Sequence, residues 1–282
     1  MPRRATDESD HVAVHGAQAI RRAMSVLRAV AEMPDGVAVT IVARRLGLAR
    51  TTAIRLLKAL EAEGLVRLDL ATSSYQVGPG VLELAGHYLS RQDVRRLALP
   101  ALWQLADSTR ETVNLAIQDG LQSICIEQIE SPHAIRAVNW IGRRLPVHAT
   151  AIGKAWLAFQ PPVVIDDVLS HLVDQVGRLP AFTERTIVDP ATLHQDLAAT
   201  RRRGYATTHE ELEPWLNAVA APIFNLDGVA VATLVVSGPS FRLGARRIAE
   251  LGARTTGAAA GVSAAMGYRA SQEPEPGAKE IR

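Results

Sequence analysis

The sequence predicts an α+β protein made of two units, a helical N-terminal unit that ends in a hairpin and a larger unit with an antiparallel sheet flanked by helices. Residues 17–79 hold three helical patterns followed by two short alternating runs. Further along, Asp119-Gly120 and Asp227-Gly228 each separate two alternating runs, which is the strongest short-range signal for a hairpin. The length of 282 residues accommodates two domains.

The N-terminal unit begins with a helix over "AQAIRRAMSVLRAVAEM", whose apolar residues recur at spacings of three and four. After Pro34-Asp35-Gly36, "VTIVARRLG" predicts a short second helix that ends at Gly47. A third helix follows two residues later and closes at Gly64. "LVRLD" and "SYQVG" predict two strands joined by the turn "LATS". This order of elements is that of a winged helix-turn-helix domain over residues 17–79.

Charge is distributed unevenly between the two parts of the chain. Residues 17–68 carry a net charge of +5, whereas the remainder carries −3. A small basic unit on a mildly acidic body is typical of a polyanion-binding head. The polar side of the third helix holds threonines and basic residues and, in its first turns, no acid. The predicted DNA contacts are Arg44, Arg45, Arg50, Thr51, Thr52, Arg55, Lys58 and Arg67. A winged helix that binds another protein is the alternative.

The remaining elements follow in order. Residues 80–95 are predicted as a linker helix, ahead of a long helix over "RRLALPALWQLADSTR". "AIRAVNWI" predicts a strand, "VHATAIGKAWLAFQ" and "VIDDVLSHLV" predict helices, and "GYATTHEELEP" predicts a strand and a loop. Asp189, Pro190 and Gly204 are the expected cap, first residue and stop of another helix. Residues 96–267 therefore form the second domain, with disordered segments expected at 1–16 and 268–282.

Motifs for catalysis and for metal binding are absent from the sequence. There is no G-x-S-x-G, no phosphate loop and no H-E-x-x-H, and "HEELE" lacks the second histidine. The single cysteine, Cys125, excludes an internal disulfide and a multi-cysteine metal site. We therefore predict no enzyme activity, metal or cofactor. With no apolar signal region and no stretch of roughly 18 apolar residues, we expect a cytoplasmic protein without a membrane partner.

A series of motifs runs along the chain in a specific order. They are "AIRRAMSVLRAVAE", "VARRLGLARTTAIRLLKALEAEGLVR" and "YQVGPGVLELA", followed by "GRRLPVHATAIGKAWLAF", "EELEP", "VAAPIFNLDG" and "VSGPSFRL". In this series the chain resembles the IclR-type transcriptional regulators. The resemblance covers roughly residues 17–265. The resemblance implies an N-terminal winged helix-turn-helix, a C-terminal GAF-like effector-binding domain, a homodimer that often pairs into a tetramer, and control by a small organic ligand. Such regulators are more often repressors than activators.

By this resemblance, the effector pocket is lined by the start of the helix in "HATAIGKA" and by two later strands. The backbone N–H groups at a helix start suit a carboxylate. The predicted effector-binding residues are Thr150, Ala151, Ile152, Gly153, Thr208, Trp215, Asn217, Ala218, Val235 and Ser237. Without the resemblance, residues 150–153 are better interpreted as a capped, tightly packed helix start than as a binding site.

One departure from the family pattern bears on the ligand. Many members read E-L-E-P-G with a polar residue three positions after the glycine, whereas this chain has Trp215 and Ala218 there. A glycine permits a positive φ or leaves room, and tryptophan is expected to do neither. We therefore expect a larger or more apolar effector than a two- or three-carbon acid, with Trp215 as a wall or lid. The alternative places Trp215 in solvent or in the core.

The sequence thus predicts a ligand-responsive regulator that binds double-stranded operator DNA, acts as a repressor of a metabolic or catabolic operon and assembles as a homodimer or homotetramer. The effector is expected to be a small organic molecule, such as an aromatic or apolar acid. The alternative is a small-molecule sensor or enzyme-like domain whose winged helix mediates protein–protein contacts. Salt dependence of DNA binding separates the two.

Overall fold

The computed structural model describes residues 6–90, 93–175 and 177–269. The chain divides into two compact units, with the boundary at residues 91 and 92. The boundary lies within the predicted linker of residues 80–95. Each unit is a fold in its own right, and the two are described separately below.

The first unit is a winged helix-turn-helix. Its elements are α1 (Thr6–Ala31), α2 (Val39–Arg45), α3 (Arg50–Ala62), β1 (Val66–Asp69), β2 (Ser74–Val77) and α4 (Gly80–Ser90). Strands β1 and β2 pair antiparallel, and Val37 adds one bridge to Tyr75. The buried side of α3, with Leu57 and Leu60, packs into a cluster with Val26, Val30 and other apolar residues of α1, α2 and the hairpin. The order predicted from the sequence is confirmed.

Helix α1 corrects one expectation about the N-terminal arm. It begins at Thr6, so residues 6–16 are helical where the sequence was interpreted as disordered. Residues 1–5, and residues 270–282 of the tail expected to be disordered, lie outside the described residues.

The second unit consists of one antiparallel sheet with helices on both faces. Its helices are α5 (Asp93–Thr109), α6 (Ala151–Leu157), α7 (Pro162–Leu172), α8 (Pro190–Arg203) and α9 (Ala245–Ala265). Its strands are β3 (Thr112–Asp119), β4 (Gln122–Ile129), β5 (Arg144–Pro146), β6 (Ala206–His209), β7 (Leu216–Phe224) and β8 (Ala230–Pro239). The strand order is β5-β4-β3-β8-β7-β6. Among the described residues, no helix is long and apolar enough to cross a membrane.

Turn and cap residues place these elements as the sequence predicts. Gly120 and Gly228 adopt φ of 59° and 75° in the β3–β4 and β7–β8 turns. Asp189 caps α8, because its carboxylate accepts the Thr192 backbone N–H at 2.9 Å. Gly204 ends α8 in the left-handed conformation, with φ of 83°. Both hairpins and the limits of α8 are therefore confirmed.

The strand expected over residues 134–141 does not form, and this prediction is wrong. The backbone N–H of Trp140 donates to the side chain of Gln128 at 3.0 Å, and that of Ile141 donates to Asn139 at 2.9 Å. Only one isolated bridge joins Ile141 to Cys125 before β5 begins. Side-chain acceptors thus take the N–H groups that a ladder would need.

The two faces of the sheet pack against different helices. Alternate residues of a strand face opposite sides. On one face, Ala220 and Val235 pack with Ala151 and Ile152 of α6. On the other face, Ala221 lies beside residues of α9. This arrangement puts a concave space between α6 and the sheet.

Candidate functional site

Two candidate sites are present, one in each unit. The first is the exposed face of α3. Ala53, Leu57 and Leu60 anchor the helix in the core of its unit, so the opposite side is left exposed. That side presents basic and hydroxyl side chains in the first two turns, namely Arg50, Thr51, Arg55 and Lys58, with Thr52 half-buried beside them. We call these five residues the α3 face.

The cations of the α3 face are not neutralised locally. Within the described part of the chain, Arg50, Arg55 and Lys58 form no ion pair, and neither does Arg44 at the end of α2. The acid on the same helix, Glu61, is engaged elsewhere, because its carboxylate accepts the Leu68 backbone N–H at 3.2 Å. An unpaired cluster of cations beside small hydroxyl residues is suited to phosphate oxygens and base edges.

Two other predicted DNA contacts already have partners. Arg45 forms an ion pair with Glu32 at the end of α1. Arg67 lies on β1 and donates to the side chain of Gln76 on β2 at 2.9 Å. Both side chains remain exposed. Because Glu32 partly neutralises Arg45, Arg45 offers less net positive charge to a polyanion than Arg44 does.

The second candidate site is a pocket between α6 and the sheet of the second unit. We call it the sheet pocket, and its cavity volume is about 40 Å³. It is lined by Asn114, Trp140, Leu145, Thr150, Ala151, Ile152, Thr208, Leu212, Leu216, Ala218, Val235 and Ser237. The structure thus gathers seven of the ten predicted residues around one cavity: Thr150, Ala151, Ile152, Thr208, Ala218, Val235 and Ser237. Binding of a ligand by these residues stays a prediction.

Polar groups in the sheet pocket are few and converge from different elements. The Thr150 hydroxyl donates to the Pro146 carbonyl at 2.8 Å and accepts the Gly153 N–H at 3.1 Å, so it caps α6. Asn114 donates to Gln128 at 2.7 Å. The buried Ser237 hydroxyl has no hydrogen-bond partner among the described residues. A buried polar group without a partner is costly, so Ser237 is the group that a ligand would satisfy.

Gly153 and Asn217 were predicted to contact the effector, and the structure places neither in the pocket lining. A Cβ on Gly153 would overlap the backbone of Val147, so the glycine is required by close packing of α6 rather than by a ligand. Asn217 faces the other side of β7 from Ala218, and its amide donates to the Leu243 carbonyl at 2.9 Å. The predicted carboxylate site at the helix start is also reduced, because Thr150 takes the Gly153 N–H.

Trp215 is not a wall of the sheet pocket either. Its side chain is 74% exposed and lies in a neighbouring surface groove. Its backbone φ is 67°, so this tryptophan does adopt the left-handed conformation that the sequence reasoning reserved for glycine. The backbone N–H of Ser240 donates to the Trp215 carbonyl at 2.7 Å and supports this conformation. Such a backbone is strained for a residue with a large side chain.

Sequence reasoning missed five residues of the pocket: Asn114, Trp140, Leu145, Leu212 and Leu216. Asn114 had a usable signal, since it is a polar residue in the middle of the otherwise apolar run "TVNLAI". Trp140 lies in the irregular segment before β5, where no periodicity in the sequence indicates which way a side chain faces. Leu212 and Leu216 lie on either side of the "EPW" turn, in which only Trp215 stands out in the sequence.

A buried ionic cluster lies beneath the sheet pocket. Lys154 of α6, only 1% exposed, contacts Glu211 and Asp196. Burial raises the pKa of Glu211 above its usual value, although the charge of Lys154 opposes the shift. Burial also lowers the pKa of the nearby His148, and the positive charge of Lys154 adds to this effect. His148 is therefore neutral at pH 7, with one ring nitrogen 2.8 Å from the Pro180 carbonyl.

The acids and histidines near Lys154 are of the residue types that bind metal ions. Across residues 6–90, 93–175 and 177–269, no group of three or more His, Cys, Asp or Glu side chains is arranged to hold a metal ion. The acids near Lys154 serve as its counterions instead.

A winged helix with an unpaired basic face, followed by a sheet domain with a small pocket, defines the class of one-component DNA-binding regulators. Residues 19–70 match the IclR helix-turn-helix domain, and residues 86–264 match the C-terminal domain of bacterial transcriptional regulators of the IclR type. The chain belongs to the IclR family of transcriptional regulators.

Curated relatives agree with this assignment along the whole chain. The chain is 36% identical to the HTH-type transcriptional regulator BhcR of Paracoccus denitrificans over 90% of its length and 89% of the relative. It is 34% identical to the HTH-type transcriptional repressor AllR of Escherichia coli, covering 93% and 95% of the two chains. These relatives are regulators, and the chain is a regulator rather than an enzyme.

A solved structure agrees with the fold. The crystal structure of the Thermotoga maritima IclR protein superposes with a TM-score of 0.75 at 27% identity, covering 89% of this chain and all of that one. The combination of an N-terminal helix-turn-helix and a C-terminal antiparallel sheet with helices is therefore the family's fold.

Proposed function

We propose that this chain is a repressor that binds operator DNA through the α3 face and changes its DNA affinity when a small organic ligand occupies the sheet pocket. The observation that carries the proposal is the acid-free α3 face, on which Arg50, Arg55 and Lys58 are exposed and unpaired. The repressor role is supported by the name of the E. coli relative AllR.

The α3 face fits the major groove of B-DNA on physical grounds. That groove is about 12 Å wide and admits one helix whose exposed residues are slim. Thr51 and Thr52 are small enough to bring the helix close to base edges, while Arg50 and Arg55 reach further. Arg44 and Arg67, on α2 and β1, are the proposed phosphate contacts on either side.

We propose that the regulator acts as a homodimer or a homotetramer. Two copies of α3 would then read a palindromic operator with half-sites about 34 Å apart, or a multiple of that distance. The target is a metabolic or catabolic operon. Ligand binding regulates only if the DNA-competent and DNA-incompetent arrangements differ in ligand affinity.

The ligand proposal rests on the composition of the sheet pocket. Hydroxyls of Thr150, Thr208 and Ser237 line the cavity with aliphatic and aromatic side chains. A compact polar head such as a carboxylate would accept hydrogen bonds from the hydroxyls of Thr208 and Ser237, because the Thr150 hydroxyl already donates to the Pro146 carbonyl, while apolar walls exclude water. An organic acid with an aromatic or aliphatic body is the proposed effector class.

Fluorescence anisotropy with labelled DNA from the region upstream of the gene tests the DNA-binding proposal. We expect affinity to fall steeply as salt increases, because bound cations displace counterions from phosphates. Arg55→Ala and the double variant Thr51→Ala/Thr52→Ala should each weaken binding at least about fivefold, since one base contact contributes about 1–3 kcal/mol. Arg178→Ala, an exposed arginine of the second unit, is the matched control and should bind normally.

The opposite result is equally clear. If both α3 variants bind as tightly as the native chain, the α3 face is not the DNA-reading surface. If the native chain shows no salt-dependent DNA binding at all, the winged helix serves protein contacts instead.

A further inference from the structure

Beside the sheet pocket lies a second concavity, which we call the surface groove. It is open to solvent, and its volume of about 370 Å³ is much larger than the 40 Å³ of the sheet pocket. Its sides carry large apolar residues that are exposed, among them Ile135, Val138, Trp215 and Phe241. Clustered apolar side chains on a surface mark a binding site more often than scattered ones do.

Two side chains separate the groove from the pocket. Trp140 and Leu216 line both cavities, so they form a wall with one cavity on each side. Trp140 is 7% exposed and lies in the irregular segment ahead of β5, while Leu216 is half-buried at the first position of β7. A passage between the two cavities requires only new rotamers of these two side chains and no change in the sheet.

The sides of the groove are held in place by specific contacts. Arg242 donates to the Ile135 carbonyl at 3.0 Å and is itself fixed by two hydrogen bonds to the Glu111 carboxylate, both of 2.7 Å. The opposite side is fixed by the bond from the Ser240 N–H to the Trp215 carbonyl, at 2.7 Å. The positive φ of Trp215 is a backbone strain that the surrounding structure maintains, and its result is an indole beside the groove.

The small volume of the sheet pocket limits what it alone can bind. A cavity of 40 Å³ holds about three water molecules. It therefore accommodates a carboxylate or a similar head group, but not an aromatic ring in addition. A ligand with a larger body needs more space, and the groove behind Trp140 and Leu216 is the adjoining space.

We propose that the effector is an amphipathic organic acid whose carboxylate binds in the sheet pocket and whose apolar arm passes between Trp140 and Leu216 into the surface groove. This inference rests on the effector-binding function proposed above. The Ser237 hydroxyl, buried and without a partner among the described residues, donates to the head group. Trp215 and Phe241 present aromatic faces to the arm, and burial of those rings favours arms that are themselves aromatic.

A series of acids with a growing arm tests the proposal. Acetate, phenylacetate, 3-phenylpropionate and 4-phenylbutyrate are titrated by calorimetry into the full chain, the variant Phe241→Ala and the control Leu226→Ala. Phe241 and Leu226 are similarly exposed, at 68% and 72%, but Leu226 lies in the β7–β8 turn, away from the groove lining. We expect affinity to increase along the series, the longest acid to lose at least fivefold in Phe241→Ala, and Leu226→Ala to behave as the native chain.

Three results would overturn the proposal: no binding of any arylalkyl acid, equal affinities along the series, or an unchanged affinity of the longest acid in Phe241→Ala. A change of solution mass in Phe241→Ala would assign the groove to contacts between copies of this chain, which also overturns it. Operator binding measured without acids keeps the two proposals distinct. If DNA binds while the series shows no dependence on the arm, only the present inference fails.

Discussion

The ammonium of Lys154 lies 2.9 Å and 3.0 Å from the two carboxylate oxygens of Glu211, and both side chains are buried. A second carboxylate, that of Asp196, approaches the same ammonium at 2.8 Å. These contacts join α6, whose first turn forms one side of the sheet pocket, to α8 and to the loop that carries Leu212. The ionic cluster therefore fixes the shape of the pocket although none of its members lines it.

Lys154→Met is expected to lower the free energy of unfolding by about 3–5 kcal/mol, because it leaves two carboxylates without their buried counterion. Arg144→Met is the control, since the Arg144–Asp119 pair is exposed and removing it should cost at most about 1 kcal/mol. Urea denaturation of both variants measures the difference. Equal losses would show that the buried cluster contributes no more than a surface pair.

Gly153→Ala is expected to destabilise the second unit by about 1–3 kcal/mol or more, because the added methyl group overlaps the Val147 backbone. Gly257→Ala on α9 is the matched control. No atom lies within contact distance of a Cβ at that position, so alanine should stabilise the helix by up to about 1 kcal/mol. Thermal unfolding of the two variants should shift in opposite directions, and a shift in the same direction would contradict this account.

Trp215→Gly should raise the free energy of unfolding by about 0.5–1 kcal/mol, since glycine adopts a positive φ without strain. The exposed indole loses little burial when it is removed. Trp103→Gly, at an exposed position inside α5, should instead lower stability by about 1 kcal/mol. Chemical denaturation followed by circular dichroism checks both, and a loss of stability in Trp215→Gly would mean that the side chain contributes more than the strain costs.

The pH dependence of stability should include a contribution from His148. Burial, together with the charge of Lys154, lowers its pKa in the folded protein, so below pH 6.5 the unfolded chain binds a proton that the folded chain resists. Stability is thus fully present above the unfolded pKa and declines as pH falls toward the folded pKa.

The variant His148→Gln should therefore lose less stability than the native protein between pH 7.5 and pH 5.5. Guanidinium unfolding at both pH values measures this difference. If His148→Gln retains the native pH dependence, the dependence arises from other groups.

The elements of the fold could be predicted because local signals determine them. Asp189 and Gly204 are local signals for the two ends of α8, and an Asp-Gly pair indicates the turn of each hairpin. The segment 134–141 has strand-forming residues but no ladder, because the acceptors that its N–H groups use belong to side chains, including that of Gln128 from another strand. A local pattern contains no information about such partners.

Only part of the sheet pocket could be predicted, because a local pattern does not show which distant residues meet. Its lining comes from strands β3, β5, β6, β7 and β8, from the start of α6 and from two loops, and only the tertiary fold brings them together. The alternation of β7 could have separated Asn217 from Ala218, since neighbouring residues of one strand cannot both face one cavity. By contrast, the exposure of Trp215 depends on a strained φ that no side-chain pattern indicates.

Cys125 is the only cysteine in the sequence, and its side chain is 1% exposed. Burial raises the pKa of its thiol to about 11, so the thiol stays protonated at neutral pH and is shielded from reagents. A cysteine introduced at an exposed position outside the α3 face and the groove lining, such as Leu70 or Leu226, would then be the single thiol open to a dye. The native chain needs no prior removal of cysteines before it is labelled at one position, and fluorescence from that position would follow DNA or ligand binding directly.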